Sequence, residues 1–468
     1  MDSRLFGKAV QILILAMVAL LSGTTLFAQY TDKSVIDDLG GPQEFARRRL
    51  ALAQELHSGY TLLFARDYQI EVSHYREDND FFYFTGLADP GAVLLMNNAD
   101  GSAMIFEPFQ TAVNTMLLGR NLLALPAQER AEFGYRNVLP LSELDPTLAF
   151  LVGSKSGNEL WIRMSFPDSE ESARDEIGAD YGVQLSHPYH APFASEMAPA
   201  RLLPERYPMV RLRDLTPAVN TMRNIKTAQE IEVLRRNGKL SAEGLRVAIG
   251  HAHPGMYEYE IEAEAAYVFR KSGAQSVAYP AIVASGPNSV TPHYFSNRRR
   301  TEANDIVVFD FAASLDQETM DITRSFNVSG KFTPEQAEWY AVELEAQKAV
   351  IELLRPGHTY EEAGAAGQKV FAKAGIQEWP YFMMQPGAKS PPFPGHFVGL
   401  ATHDVLTPEG PIRAGQVVTV EPDMNVTDKH LYLRVEDTIL ITDSGPEVLS
   451  SGVPKDLSEI ESLVGSLR

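Results

Sequence analysis

The sequence predicts an α/β (α+β) protein of two units: a smaller amino-terminal α/β domain with a mixed sheet, and a carboxy-terminal domain made of two related halves. Three observations predict it. Residues from Phe45 to about Leu212 alternate short apolar runs with helical stretches. Near Pro217 the pattern changes to long helices opened by capping boxes. Part of this second unit repeats itself at a constant spacing. At 468 residues the chain is too long for one ordinary core. Hydrophobic residues at 44% and charged residues at 22% give an ordinary globular balance. The formal net charge of −20 repels phosphate backbones and argues against nucleic acid as a partner.

Residues 1–28 read as a signal peptide. Arg4 and Lys8 form a basic start, Ala9 to Leu21 is apolar apart from Gln11, and small residues lead to Phe27-Ala28-Gln29, with cleavage expected after Ala28. The apolar run falls short of the roughly 20 residues of a comfortable membrane span, which favours a cleaved leader over a retained anchor. The expectation is an exported protein, periplasmic or secreted, with no stable membrane anchor after cleavage. The chain has no cysteine, which excludes a lipoprotein anchor, disulfides and thiolate metal sites.

The amino-terminal domain is placed at 40–215. Gln43 to His57 has helical periodicity, and Thr61-Leu62-Leu63-Phe64 is a short strand. An aromatic run, Phe81 to Gly86, comes next. Gly91 to Met96 is a strand closed by the turn residues Asn97 to Gly101, with Ala103 to Phe106 returning beside it, and Glu159 to Ile162 is a further strand. The second domain is placed at 217–455. Thr227 and Glu230 form a capping box that opens a helix to about Gly250, and similar boxes stand at Thr333–Gln336 and Thr359–Glu362. Pro334 occupies a first helical position, where its missing N–H costs nothing. The repeat runs from Pro254-Gly255 to Gly273 and from Pro356-Gly357 to Gly375, at a constant offset of 102. Two such halves, related by a pseudo-twofold, leave a central crevice suited to a site.

Five residues in the second domain carry the candidate chemistry. The apolar strand Ile306 to Phe309 runs into Asp310, and Asp321 precedes a second strand, so a hairpin would bring the two carboxylates together. Adjacent carboxylates in a low dielectric either share a proton or hold a cation between them. Glu421 ends the strand Gln416 to Val420, and Glu436 sits within the run Leu431 to Ile441, where an ion pair with Arg434 is the structural alternative to a ligand role. His396 and His403 lie in a Gly/Pro-rich stretch, where a lone histidine is usually a loop residue. An oxygen-rich set with one imidazole suits manganese, zinc or cobalt.

Taken together, Asp310, the Asp-Ile-Thr-Arg run at Asp321, Gly-His at His396, Val-Glu-Pro at Glu421 and Arg-Val-Glu-Asp at Glu436 resemble, in order and spacing, the five-ligand signature of the pita-bread metallopeptidases. That family includes methionine aminopeptidase, prolidase and aminopeptidase P. The run Asp80 to Gly86 followed by Asp89-Pro90-Gly91 is similar to the amino-terminal domain of aminopeptidase P and prolidase, which methionine aminopeptidase lacks. The resemblance implies a pita-bread (creatinase/aminopeptidase) second domain and two divalent ions, Mn²⁺ first, with Zn²⁺ or Co²⁺ as alternatives. Asp310 would chelate one ion, Asp321 and Glu436 would bridge both, and His396 and Glu421 would complete the second. His293 and His403 would steady the scissile carbonyl oxygen, Arg434 would join them at the substrate, and Glu421 would carry a proton to the leaving nitrogen. Two cations lower the pKa of a water between them, so hydroxide is available near neutral pH. The implied activity is hydrolysis of Xaa-Pro bonds at peptide amino termini, by a homo-oligomer. Prolidase is the second reading, and a metal-free creatinase-like or pseudoenzyme relative the third. A purely structural extracellular protein is the fourth, and would bind no metal.

The sequence also departs from the family pattern. Pro392 stands where a histidine is usual four residues before the ligand His396, Asp423 where a glycine commonly follows Val-Glu-Pro, and Val405 where glycine follows the His-Asp pair. The first of these bears on the substrate pocket and leaves the ligand set intact.

Overall fold

The computed structural model describes residues 30–67, 75–153, 158–189, 194, 197–375, 393–426 and 431–468; the leader and Pro392 lie outside them. In the amino-terminal half, β1 (Tyr60–Phe64), β2 (Val93–Asn97), β3 (Ala103–Glu107), β4 (Val138–Pro140), β5 (Glu159–Ile162) and β6 (Arg211–Asp214) form one sheet in the order β4-β3-β2-β1-β5-β6. The central pairs β1–β2 and β2–β3 are antiparallel, and the outer pairs are parallel, so the sheet is mixed as the alternation of elements predicts. Both faces are covered. Leu63, Leu94, Met96 and Ile105 pack under the helix Pro42–Leu56, while Leu62, Leu95 and Phe106 join Leu148 and Leu160 on the other side. That two-sided burial explains why β2 reads as a continuous apolar run and not as an alternation.

The aromatic run at Phe81 folds as a helix, Asn79–Thr85, buried along its whole length. Asp78 caps it by accepting from the N–H groups of Asp80 and Phe81, and Gly86 ends it in the left-handed region at φ 69°.

The second unit opens with the helix Ala228–His251, whose Thr227–Glu230 box closes reciprocally as predicted. Glu258–Lys271 packs against it, and the later pair Pro334–Glu352 and Tyr360–Lys373 repeats the arrangement. The second helices of the two pairs begin and end 102 residues apart, the same offset as the sequence repeat. Gly255 and Gly357, the paired glycines of the Pro-Gly turns, both hold φ near +100°, which a side chain would strain.

Each half then contributes a small sheet. In the first, β8 (Ile282–Ser285), β9 (Ile306–Asp310) and β11 (Thr323–Asn327) pair antiparallel in the order β11-β9-β8, and the short strands β7 (Ser276–Val277) and β10 (Ala313–Ser314) pair beside them. In the second, β12 (Val417–Val420), β15 (Asp437–Thr442) and β16 (Gly445–Val448) form the equivalent sheet, and β13 (Asp423–Val426) pairs with β14 (Leu431–Arg434). One expectation needs correction: the run Leu431 to Ile441 is not a single strand. It breaks at Val435-Glu436, and the Glu436 N–H crosses to donate to the Thr323 carbonyl of the other half at 3.0 Å. The chain bends there because Glu436 serves the centre between the halves.

The two units are joined by a buried ionic network. The Arg223 guanidinium, 2% exposed, donates to Asp80 at 2.9 Å, to Asp168 at 2.6 Å and to Asp404 at 2.6 Å. Asp80 and Asp168 belong to the amino-terminal half and Asp404 to the carboxy-terminal half, so a single cation ties three segments together. Burial opposes ionisation of Asp80, but Arg174, Arg163 and Arg223 outweigh it and hold its carboxyl at about 2. Its pairing therefore stabilises the fold at neutral pH, and fades only as pH falls through the ordinary carboxylate range toward that value. Replacing Arg223 by Met would leave three buried carboxylates short of a partner. We expect a loss of about 3–5 kcal/mol in unfolding free energy at pH 7, measured by urea denaturation.

Candidate metal centre

β9 delivers Asp310 at its carboxyl end, and the hairpin to β11 places Thr323 opposite it, with Asp321 just before that strand. The segment 396–398 runs beside β12: the His396 N–H donates to Thr419 Oγ1 at 3.0 Å, and Phe397 bridges Val418. β12 ends at Val420, immediately before Glu421. With Glu436 held against β11, all five sequence-predicted ligands converge. Asp310, Asp321 and Glu436 form one group, His396, Glu421 and Glu436 a second, and Asp321, His396 and His403 a third. Within each group the ligand atoms lie within 4.8 Å of one another.

The surrounding hydrogen bonds fix these side chains. The Tyr279 hydroxyl lies 2.6 Å from Asp310 Oδ1 and 2.7 Å from Asp321 Oδ1, bridging them. Thr323 Oγ1 donates to Glu436 Oε2 at 2.7 Å, and Thr419 Oγ1 donates to Glu421 Oε1 at 3.0 Å. Arg434, also buried, pairs with Asp310, donates to Thr323 Oγ1 at 3.1 Å and approaches Glu421 at 3.6 Å. The ion-pair partners of Arg434 are Asp310 and Glu421 in place of Glu436, so the alternative reading of Glu436 as its partner does not hold.

The donor set fits divalent cations. Glu436 Oε1 and His396 Nε2 are buried without a hydrogen-bond partner. His396 Nδ1 lies 3.1 Å from the Phe397 carbonyl, which can only accept, so Nδ1 carries a hydrogen and Nε2 is the nitrogen turned to the carboxylates. Nε2 sits 3.2 Å from Glu421 Oε1 and 3.4 Å from Asp321 Oδ2, which outweigh burial and raise the ring well above its usual range, so this position draws a cation, a proton or a metal ion. Burial, reinforced by Asp321 and opposed by Arg434, pushes the Asp310 carboxyl up to about 8. Burial, reinforced by Asp321, Glu421 and Asp310 and opposed by Arg434, pushes Glu436 well above its usual range. A cluster of acceptors whose members resist ionisation beside one another is what a cation relieves.

Two histidines complete the cleft. The His403 ring lies 4.0 Å from that of His396, centroid to centroid, with its Nδ1 2.6 Å from Glu176 Oε1. His293 is open to solvent at its edge, yet surrounding protein still disfavours its charged form, with Arg434 and His403 adding repulsion. Beside Tyr279 a cleft of about 360 Å³ opens between the two units, lined also by Arg66, Arg76, Glu170 and Glu171. The departure Asp423 is buried and accepts from the Tyr432 hydroxyl. Burial pushes its carboxyl up to about 7 despite Arg434. Val405 is buried as well. Tyr279, Thr419 and Glu176 act through fold-level contacts and stand in no local motif, and Thr323, although inside the Asp-Ile-Thr-Arg run, shows its role only through its contact with Glu436.

A duplicated domain that gathers four carboxylates and a histidine into one buried cluster defines a metallopeptidase centre, and the comparisons agree. Residues 232–443 match metallopeptidase family M24, and residues 45–161 match the aminopeptidase P amino-terminal domain. The chain is 30% identical over 454 residues to an Xaa-Pro aminopeptidase of Escherichia coli strain K12, covering 91% of this chain and 98% of that one. An Xaa-Pro dipeptidase of Pyrococcus furiosus is also 30% identical, but over 53% of this chain and 68% of its own. Among solved structures, aminopeptidase P from E. coli with the inhibitor Pro-Leu superposes with a TM-score of 0.72 at 28% identity, covering 90% of this chain and 98% of that one. The chain belongs to the aminopeptidase P family of M24 metallopeptidases. Its carboxy-terminal domain has the pita-bread fold, and membership implies divalent metal ions.

Tyr279 bridges two of the ligands without being one itself. Tyr279→Phe should therefore weaken metal binding by about 10- to 100-fold while the chain stays folded. Calorimetric titration of the metal-stripped protein with a divalent ion, beside circular dichroism, measures both.

Proposed function

We propose that this chain hydrolyses the Xaa-Pro bond at the amino terminus of peptides, with Asp310, Asp321, His396, Glu421 and Glu436 holding two divalent ions. The observation that carries the proposal is the convergence of these five residues, with Glu436 Oε1 buried and unpartnered at their centre. The oxygen-rich donor set with one imidazole favours Mn²⁺, with Zn²⁺ or Co²⁺ as substitutes. Bound there, the ions supply a water nucleophile near neutral pH and polarise the scissile carbonyl.

The protein's own groups do the rest. Glu421 relays a proton to the leaving proline nitrogen, which matters because that amide is tertiary and hindered. His293 and His403 donate to the carbonyl oxygen as it becomes anionic, each worth about 3 kcal/mol when well placed. Tyr279, Thr323, Thr419 and Arg434 hold the carboxylates at fixed angles. The dipeptidase reading is less favoured, because the dipeptidase relative aligns with about half of this chain whereas the aminopeptidase relative aligns with nearly all of it. The metal-free and structural readings leave Glu436 Oε1 buried without a partner among four clustered carboxylates.

The basic, apolar and small-residue layout of residues 1–28 supports export, to the periplasm or beyond, with the leader removed. Among the described residues no helix is long and apolar enough to cross a membrane. We further propose that the enzyme acts as a homo-oligomer, as its family resemblance implies.

The test uses residues 29–468 with Mn²⁺, an Xaa-Pro-Pro tripeptide and an Xaa-Pro dipeptide. Tripeptide cleavage that depends on metal and falls by about 100-fold or more in Glu421→Gln is the expected result. Cleavage of the dipeptide alone would establish the prolidase reading. Metal binding without cleavage would point to a pocket altered around Pro392.

A further inference from the structure

We propose that Glu176, on the amino-terminal unit, is a positioning residue that holds the His403 ring of the catalytic unit for the reaction. The proposal rests on the reading of His403 as a donor to the scissile carbonyl oxygen. Glu176 stands at the third position of the helix Arg174–Leu185, and its two carboxylate oxygens have separate tasks. Oε2 accepts from the Ala173 backbone N–H at 2.9 Å and closes the helix start. Oε1 lies 2.6 Å from His403 Nδ1. Anchored at both oxygens, the side chain has little rotational freedom left.

The backbone around the contact is equally constrained. The Thr402 N–H donates to the Glu170 carbonyl at 2.8 Å, and the His403 N–H to the Glu171 carbonyl at 2.9 Å. A few residues away, Asp168 and Asp404 bind the same Arg223 guanidinium. The Glu176–His403 bond thus lies at the end of a clamp between the two units, unlike a chance surface pair.

The chemical consequence follows from the acceptor. Burial opposes the Glu176 charge, but the His403 bond outweighs it and keeps the carboxyl below its usual range. An ionised carboxylate only accepts, so Nδ1 carries the hydrogen and Nε2 is the ring nitrogen left for the site. His403 groups there with Asp321 and His396. Held at Nδ1 by a carboxylate that is itself fixed, the ring keeps one plane and turns Nε2 toward the oxygen becoming anionic. Glu176→Gln keeps the side chain's volume and a helix-capping oxygen, but turns an amide N–H₂ toward Nδ1, which cannot accept from it, so the bond that orients the ring is lost.

The test takes the mature, metal-loaded chain and compares wild type, Glu176→Gln, His403→Ala and the double variant. Glu176→Gln should lower kcat by about 10- to 100-fold with KM little changed and the thermal midpoint unmoved. In the His403→Ala background the same change should cost nothing further, because the effect passes through that ring. In ¹⁵N-histidine NMR, a ring signal absent from His403→Ala should report a hydrogen-bonded hydrogen on Nδ1 in the wild type and lose that bond in Glu176→Gln. An unchanged kcat, an equal loss with and without His403, or a wild-type ring bare at Nδ1 would each overturn the proposal. A wild type that cleaves no Xaa-Pro peptide would overturn the functional reading instead, and the ring signal would still decide the contact.

Discussion

Four carboxylates cannot be gathered into a buried space without something to oppose their mutual repulsion, and much of the catalytic unit is arranged around that problem. Inside the protein the opposition is partial. Arg434 offers one guanidinium to Asp310 and Glu421, Tyr279 one hydroxyl to Asp310 and Asp321, and the threonines one hydroxyl each to Glu436 and Glu421. Asp310 and Glu436 are pushed up in consequence, whereas Glu421 is held at about 2 against burial by His396 and Arg434. Divalent ions are the remaining counterweight. The ligands thus carry a folding cost that the metals of this family offset, and the supporting donors share it by fixing the carboxylates in place.

The duplicated architecture is what permits this convergence. One half supplies Asp310 and Asp321 from the β9–β11 hairpin, and the other supplies His396, Glu421 and Glu436. The seam between them is held by Arg324, 1% exposed, which donates to the Glu436 carbonyl at 2.6 Å, to Asp437 at 2.8 Å and to the Val453 carbonyl at 3.0 Å. The arginine of the Asp-Ile-Thr-Arg run and the aspartate of the Arg-Val-Glu-Asp run are therefore structural partners, and each stands beside or near a ligand that faces the opposite way. Two motifs that read as separate metal signatures are also the two ends of one buried salt bridge.

Much of this was legible from the sequence because it is written in local chemistry. Capping boxes at Thr227, Thr333 and Thr359 involve residues three apart, and all three close as read. The repeat at offset 102 marks two helices of equal length. The five ligands sit at strand ends or in glycine-rich turns, where an acid or a histidine after an apolar run stands out. What was not legible depends on distance in space. The break at Glu436 is set by pairing with β11, more than a hundred residues earlier, and periodicity carries no trace of it. The partners of Arg434 are hidden for the same reason: adjacency on a presumed strand offers Glu436 as an alternative, whereas the fold delivers Asp310 from the other half. Tyr279 is a single tyrosine before a proline, without any pattern to mark it.

The amino-terminal unit follows from the same constraint at a larger scale. A ligand set shared by two halves leaves one side of the cleft to be closed by other parts of the chain, and the segment 168–176 does so. It binds the catalytic unit through Arg223, through backbone hydrogen bonds to Thr402 and His403, and through Glu176. These contacts are not a generic hydrophobic dock. They are ionic and directional, and they end within one ring of His396. Directional contacts fix orientation, whereas apolar burial mainly fixes proximity. A histidine that must present one nitrogen to a reacting oxygen needs orientation, and the catalytic unit supplies no carboxylate contact to His403 Nδ1 among its described residues. The unit that covers the cleft therefore also aims one of its donors, and separating the two units would remove that aim even if every ligand stayed in place.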